Sequence, residues 1–350
     1  MAKVNLYSIT PLVEECRVKL DEYCNITVNE LPMEVEQEEI LKLCSGYEIV
    51  IVGEHTVTKD TYLALQASGM KLLGCARGTP VNIEDWAALK EAGIPLIHSP
   101  GRSRHSVAEF TIGMMIAITR HLALLSGYSA RGRQYMGEAV DDIYAFTENI
   151  EADVPEGYIH PAFTYGGRAF ELYGRTLGLL GFGPIGAEVC KLAKAFQMRV
   201  LTYDPYIPAE RAAKYGAEKV ELDYLLANAH IISNHMAVTP ETRGMIDKSW
   251  YDRMRKGVFI VNTGRAAVFD QEAMINALKD GTVAGAACDV AWKEPVPANH
   301  PFWEMENVLI TPHIAGVTMD MRTWQSRLIM EDIIRYCKGE PLENVWRRVQ

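Results

Sequence analysis

Leu177-Gly-Leu-Leu-Gly181-Phe-Gly183-Pro184-Ile185-Gly186 joins a short apolar run to a glycine-rich turn and then to a helical pattern. A Gly-x-Gly-x-x-Gly alone is common by chance, but strand before and helix after is the setting in which it has a physical use. Gly181 permits a tight turn, Gly183 lets a pyrophosphate approach the backbone, and Gly186 lets helix and strand pack closely. The helix N-terminus offers unpaired N–H groups and a partial positive charge to the phosphates. Asp204 ends the next apolar run, in Leu-Thr-Tyr-Asp204, at about the twenty-residue distance this fingerprint expects. A carboxylate there accepts from ribose hydroxyls and repels a 2′-phosphate, which favours NAD over NADP.

Outward from the loop, apolar runs alternate with helical patterns. Residues 177–182, 200–203, 230–234, 258–261, 285–289 and 308–311 read as strands, and residues 185–196, 209–215, 222–227 and 271–280 as helices. Residues 48–53, 70–75 and 94–98 read as strands of an earlier unit, with helices over 58–68 and 83–92 and Asn82 as the N-cap of the second. Such alternation implies α/β architecture with two doubly wound parallel sheets. A Rossmann dinucleotide-binding domain over 102–317 is expected to be inserted in a flavodoxin-like substrate domain, 1–101 plus 318–350. Residues 106–126 read as one long buried helix, and 318–338 as an amphipathic helix returning to the first domain. The stretch 131–170 is rich in Tyr, Gly and acidic residues without a sustained period, and reads as a functional excursion such as an arm or lid.

At 350 residues the chain suits two domains, and 48% hydrophobic with 23% charged residues is ordinary for a globular protein. A net charge of -10 argues against a general nucleic-acid or membrane-surface binder. Seven scattered cysteines without a Cys-x-x-Cys favour a reducing cytoplasm and speak against a disulfide framework or a metal site. The N-terminus lacks a secretory pattern, and with the sequence stopping soon after the returning helix no appended regulatory domain is expected.

Further signals lie downstream of the loop, at Arg265 in Asn262-Thr263-Gly-Arg265, Glu294 in Asp289-Val-Ala-Trp-Lys-Glu294-Pro295, and His313 in Thr311-Pro-His313-Ile-Ala-Gly316. Oxidising a hydroxy acid needs a base for the hydroxyl proton, an acid partner to hold that base, and a cation on the carboxylate. With Val107-Ala-Glu109 and His235-Met-Ala-Val-Thr-Pro-Glu-Thr242, these motifs appear in an order that resembles the D-isomer-specific 2-hydroxyacid dehydrogenase family, phosphoglycerate dehydrogenases included, over roughly residues 71–318. The resemblance implies His313 as general base, Glu294 as its hydrogen-bond partner fixing the tautomer, and Arg265 as the carboxylate clamp. It also implies Asp289 near the nicotinamide carboxamide, Thr263 and Gly316 lining the cofactor, a homodimer, and NAD-linked hydride transfer at C2 of a D-2-hydroxy acid or 2-keto acid. An NAD-sensing or corepressor-like partner protein that keeps the dehydrogenase fold is the alternative.

The chain departs from the family pattern at Ala266, at Ala237, and in the loop Cys75-Ala-Arg77-Gly78-Thr79-Pro80-Val-Asn82. That loop implies substrate contacts from Arg77, Gly78 and Thr79, joined by Arg102 in Pro100-Gly-Arg102-Ser-Arg104. Several cations suggest a second anion or several hydroxyls, hence a phosphorylated or polyhydroxylated acid such as 3-phosphoglycerate or a sugar acid. The alternative leaves Arg102 and Arg104 on the cofactor or in solvent.

Pro184 stands at the first helical position, where a missing N–H would be unpaired anyway. It removes one donor to a pyrophosphate and raises the importance of the Ile185 N–H. Pro184→Ala is expected to bind the dinucleotide equally or more tightly; clearly weaker binding by titration would refute this.

Overall fold

The computed structural model describes residues 3–32, 34–124, 126 and 169–346. All but the last two residues of the 131–170 excursion therefore lie outside the described residues. The chain divides into two compact units, Met1–Arg104 with Gly316–Gln350, and His105–Ala315 between them.

The first unit is built on β1 (Val4–Ser8), β2 (Cys24–Val28), β3 (Ile49–Val52), β4 (Leu72–Cys75) and β5 (Leu96–His98). They form a parallel sheet in the order β2-β1-β3-β4-β5, the flavodoxin-like winding. All four residues of β3 and of β4 are buried, which is why these strands read as unbroken apolar runs. Strand alternation sends Val50, Val52 and Leu73 to one face, under the helices Gln37–Cys44, Lys59–Ala67 and Trp86–Glu91. Ile49, Ile51 and Leu72 go to the other, with Ile329 and Ile333 of the helix Met319–Lys338. Each fully buried side chain of this kind stabilises the fold by about 1.5–3 kcal/mol.

That last helix packs against the helix Glu14–Leu20 and against β5. Beyond it, the fully buried Asp332 carboxylate accepts the N–H groups of Glu343 (2.7 Å) and Asn344 (2.9 Å). The chain then covers the edge of β5 through an antiparallel Ile97–Val345 bridge. Asn82 caps no helix. Asp85 takes that place with its side chain accepting from Ala88 N, while the buried Asn82 donates to the carbonyls of Gly53 (3.1 Å) and His55 (2.6 Å). Elements before residue 48 lacked a recognisable pattern because β2 alternates buried and exposed residues and both early helices are short.

The second unit holds β6 (Thr176–Leu180), β7 (Arg199–Tyr203), β8 (Glu218–Lys219), β9 (Ile231–Asn234), β10 (Val258–Asn262), β11 (Val283–Cys288) and β12 (Val308–Ile310). Its parallel order is β12-β11-β10-β9-β6-β7-β8, a Rossmann winding with one added strand and its direction change between β6 and β9. The long helix spans Arg104–Thr119, starting earlier and stopping sooner than its apolar pattern suggested. No described helix is long and apolar enough to cross a membrane.

His235 leaves the end of β9, with Nε2 3.0 Å from the Ser233 hydroxyl. Burial of its ring pushes its pKa down to about 4 from an ordinary 6.5. The unfolded chain therefore binds more protons than the folded one between those two values, so this contribution to stability is present above about pH 6.5 and is lost as the pH falls towards 4. Wild-type protein is expected to lose about 1–2 kcal/mol between pH 7 and pH 5 from this group. His235→Gln should flatten that part of the profile, and urea midpoints at the two pH values, unchanged in slope by the substitution, would contradict it.

Candidate active site

At the end of β6 the backbone turns through Gly181, whose φ of +88° suits glycine. A Cβ there would also lie 3.0 Å from the His235 carbonyl, so the turn nests against the chain leaving β9. Gly186 is equally constrained, since its Cβ would meet the Gly181 carbonyl oxygen at 2.7 Å. Gly183 differs: a Cβ there would meet nothing within 4 Å, so the space over this residue is open to a ligand. Gly183 is the N-cap of the helix Pro184–Ala195, with Pro184 at its first position and Ile185 next. The first-turn N–H groups of such a helix have no intrahelical partner.

Asp204, just past β7, ties this loop down. Its Oδ2 accepts from the Phe182 N–H (2.8 Å) and its Oδ1 from the Tyr206 N–H (2.9 Å). An ionised carboxylate has about four acceptor positions, so roughly two remain for the hydroxyls of a ribose. Open space at Gly183, unpaired donors at the helix start and a half-satisfied carboxylate at Asp204 together fit a dinucleotide.

On the other side of the direction change, four further strand ends carry polar groups. Asn234, the last residue of β9, and Asn262, the last of β10, are buried and bonded to each other, Nδ2 of Asn234 donating to Oδ1 of Asn262 (3.1 Å). The Asn262 Oδ1 also accepts the Gly264 N–H (3.2 Å), which shapes the turn that presents Arg265. Arg265 itself is exposed, its guanidinium donating to the Gly264 carbonyl (2.7 Å). Thr263 is buried, with its hydroxyl 2.7 Å from that of Thr111.

Past β11, the carboxylate of Asp289 is 1% exposed and accepts three hydrogen bonds from the chain after β12. They come from the Thr311 hydroxyl (2.6 Å), the Ile314 N–H (2.9 Å) and the Ala315 N–H (2.8 Å). Between these anchors His313 sits at φ +57°, a left-handed conformation that costs a non-glycine residue about 1–2 kcal/mol. The contacts on either side hold it there. In this conformation Nδ1 of His313 lies 2.8 Å from Oε2 of Glu294.

Burial alone would raise the Glu294 carboxyl, but the Ala291 N–H, His313 and then the Arg265 charge together hold it below its ordinary value. An ionised carboxylate can only accept, so Nδ1 of His313 carries a proton, and in the neutral ring Nε2 is then the acceptor. The side chains of His313 and Glu294 are 46% and 38% exposed, so the free nitrogen is open to a small molecule. A base with a fixed tautomer, its carboxylate and a nearby guanidinium can move a proton at a hydroxyl beside a carboxylate.

Arg77, Gly78, Thr79 and Arg102 lie in the first unit, as does Gly316. Arg77 follows β4, and its guanidinium pairs with Oε2 of Glu54, a residue just past β3. Arg102, beyond β5, donates to the other Glu54 oxygen (3.0 Å), to the Ala76 carbonyl (2.7 Å) and to Oε1 of Gln325. Gly78 accepts at its carbonyl from the His98 ring (2.8 Å), and Thr79 is exposed. Sequence reading passed over Glu54 and Gln325, as it did Asn234. Glu54 had one usable signal, its position directly after a fully apolar strand.

Residues 147–315 match the family model for the NAD-binding domain of D-isomer specific 2-hydroxyacid dehydrogenases. Over 320 residues the chain is 33% identical to a D-3-phosphoglycerate dehydrogenase of Archaeoglobus fulgidus, covering 90% of this chain and 55% of that one. It is 31% identical to a putative 2-hydroxyacid dehydrogenase of Bacillus subtilis, covering 88% and 82% of the two chains. The crystal structure of apo D-lactate dehydrogenase from Escherichia coli is similar with a TM-score of 0.68 and 26% identity, covering 98% of this chain and 99% of that one. The chain spans 55% and 59% of the length of the first two phosphoglycerate dehydrogenases it matches. The chain belongs to the D-isomer specific 2-hydroxyacid dehydrogenase family.

Proposed function

We propose that the protein is an NAD-dependent D-2-hydroxyacid dehydrogenase, and that the His313–Glu294 pair, held at 2.8 Å beside the Arg265 charge, is its acid–base centre. That pair is the observation on which the reading rests. NAD, when bound, supplies the acceptor and donor of the hydride at substrate C2. The protein does the rest with its own groups. Nε2 of His313 takes the hydroxyl proton during oxidation and returns it during reduction, and Glu294 stabilises the imidazolium formed on the way. Arg265 grips the carboxylate with a planar pair of donors.

In this reading the glycine turn and the start of the helix Pro184–Ala195 hold the pyrophosphate through backbone N–H groups, including that of Ile185. Asp204 receives the ribose hydroxyls. Asp289 serves the cofactor side indirectly, because all three of its hydrogen bonds position the segment bearing His313. Thr263 and Gly316 line the cofactor, and the first unit, with Arg77, Gly78, Thr79 and Arg102, is the substrate domain. The seven cysteines are all unpaired and six are buried, which supports a cytoplasmic setting. A homodimer is the proposed assembly, by analogy with the family.

With purified protein, NADH oxidation is expected in the presence of simple 2-keto acids such as glyoxylate, pyruvate and hydroxypyruvate. Tight NADH binding without turnover on the whole panel would sink the enzyme reading and favour an NAD-sensing partner protein. NADH should outperform NADPH by at least about tenfold, in line with a carboxylate facing the 2′ position. Glu294→Gln should lower kcat by about 100-fold, within the range of general acid–base contributions.

A further inference from the structure

Three neighbouring strands of the first unit, β3, β4 and β5, each deliver a charged residue just past their carboxyl ends: Glu54, Arg77 and Arg102. In open parallel sheets that edge is where ligands bind. The three side chains form one cluster, with each Glu54 oxygen paired to a different arginine. They keep 33%, 28% and 18% of their side-chain surface exposed, so the cluster is embedded in the protein and still reachable from solvent. Arg102 is the more heavily engaged of the two, since Ala76, Gln325 and Glu54 all accept from it. Arg77 keeps its remaining N–H groups for another partner.

Two arginines alone would form a fork suited to phosphate or a second carboxylate. Glu54 changes that. Its carboxylate already pairs with one nitrogen of each guanidinium, is covalently part of the site, and reduces two positive charges to a net of one. A phosphoryl group placed there must displace a tethered carboxylate and then lie beside it as a like charge. A hydroxyl meets no such repulsion, and it can donate to Glu54 as well as accept from Arg77.

We infer that Glu54 makes this edge a selector against a second anionic group, so that the substrate is a 2-hydroxy or 2-keto acid with an uncharged, hydroxylated tail. The inference rests on the dehydrogenase reading and on the first unit being the substrate domain. It chooses the polyhydroxylated branch of the two that the arginine-rich loops suggested, and it makes Glu54 a specificity-determining residue. Gln325 and the Ala76 carbonyl act through Arg102 as positioning groups.

The test compares hydroxypyruvate with 3-phosphohydroxypyruvate as substrates for NADH oxidation, in wild type, Glu54→Gln and Glu54→Asp. Wild type is expected to favour the unphosphorylated acid by at least 100-fold in kcat/KM. Glu54→Gln should narrow that ratio at least tenfold, and Glu54→Asp should keep most of it. A merely structural role would lower both activities together and leave the ratio unmoved. A wild type that prefers the phosphorylated acid, or a ratio unchanged in Glu54→Gln, overturns the inference.

Should no keto acid turn over, the dehydrogenase reading fails separately. Calorimetric titration of glycerate and 3-phosphoglycerate into the NAD-loaded protein then still decides the question. Binding of the phosphorylated acid that is at least tenfold tighter in Glu54→Gln than in wild type supports the selector; equal binding rejects it.

Discussion

Parallel pairing brings the carboxyl ends of all strands in a sheet to one edge, and most of the chemistry in this protein depends on that constraint. In the second unit, the glycine turn, Asn234, the Asn262–Arg265 turn, Asp289 and the His313 segment leave five different strands at the same edge. In the first unit, Glu54, Arg77 and Arg102 leave three adjacent strands likewise. Residues far apart in sequence thus become neighbours through strand order, Arg102 and Glu54 being 48 positions apart. The Thr111–Thr263 contact, 152 residues apart in sequence, adds a residue of the helix Arg104–Thr119 to the edge of the second unit.

Carboxylates divide the labour at these edges by how far they are buried. Asp289 is almost wholly enclosed, accepts three protein donors, and fixes the backbone on either side of His313. Glu294 is partly exposed and faces an imidazole, so its charge lies against a ring nitrogen of His313. Asp204 is intermediate, with one donor on each oxygen and acceptor capacity left over. Glu54 is paired on both oxygens, yet to cations that remain partly open to solvent.

The left-handed backbone at His313 shows why position and conformation are separate matters. A histidine after Thr-Pro can occupy many turns, and nothing local to that tripeptide selects φ +57°. Asp289 selects it, from a neighbouring strand, by capturing the N–H groups that follow. Asn82 teaches the same lesson in the first unit. Its place before a helical pattern suggested a cap, but burial beside the carbonyls of Gly53 and His55 gives it two acceptors that the helix start does not offer.

The sequence by itself determined the alternation of strands and helices, the glycine turn with Asp204 a strand later, and the set Arg265, Glu294 and His313. These were legible because buried parallel strands must be apolar runs, and because a tight turn nested against neighbouring backbone tolerates only glycine at its closest approaches. The early strands were not legible, since a half-exposed edge such as β2 carries a mixed pattern. Only the tertiary structure decided that Asp289 anchors the histidine segment, that Asn234 braces the arginine turn, and that Glu54 joins Arg77 to Arg102. Each of these is a pairing between residues from different strands, and a charge has no meaning for a site until folding supplies the partner that uses it.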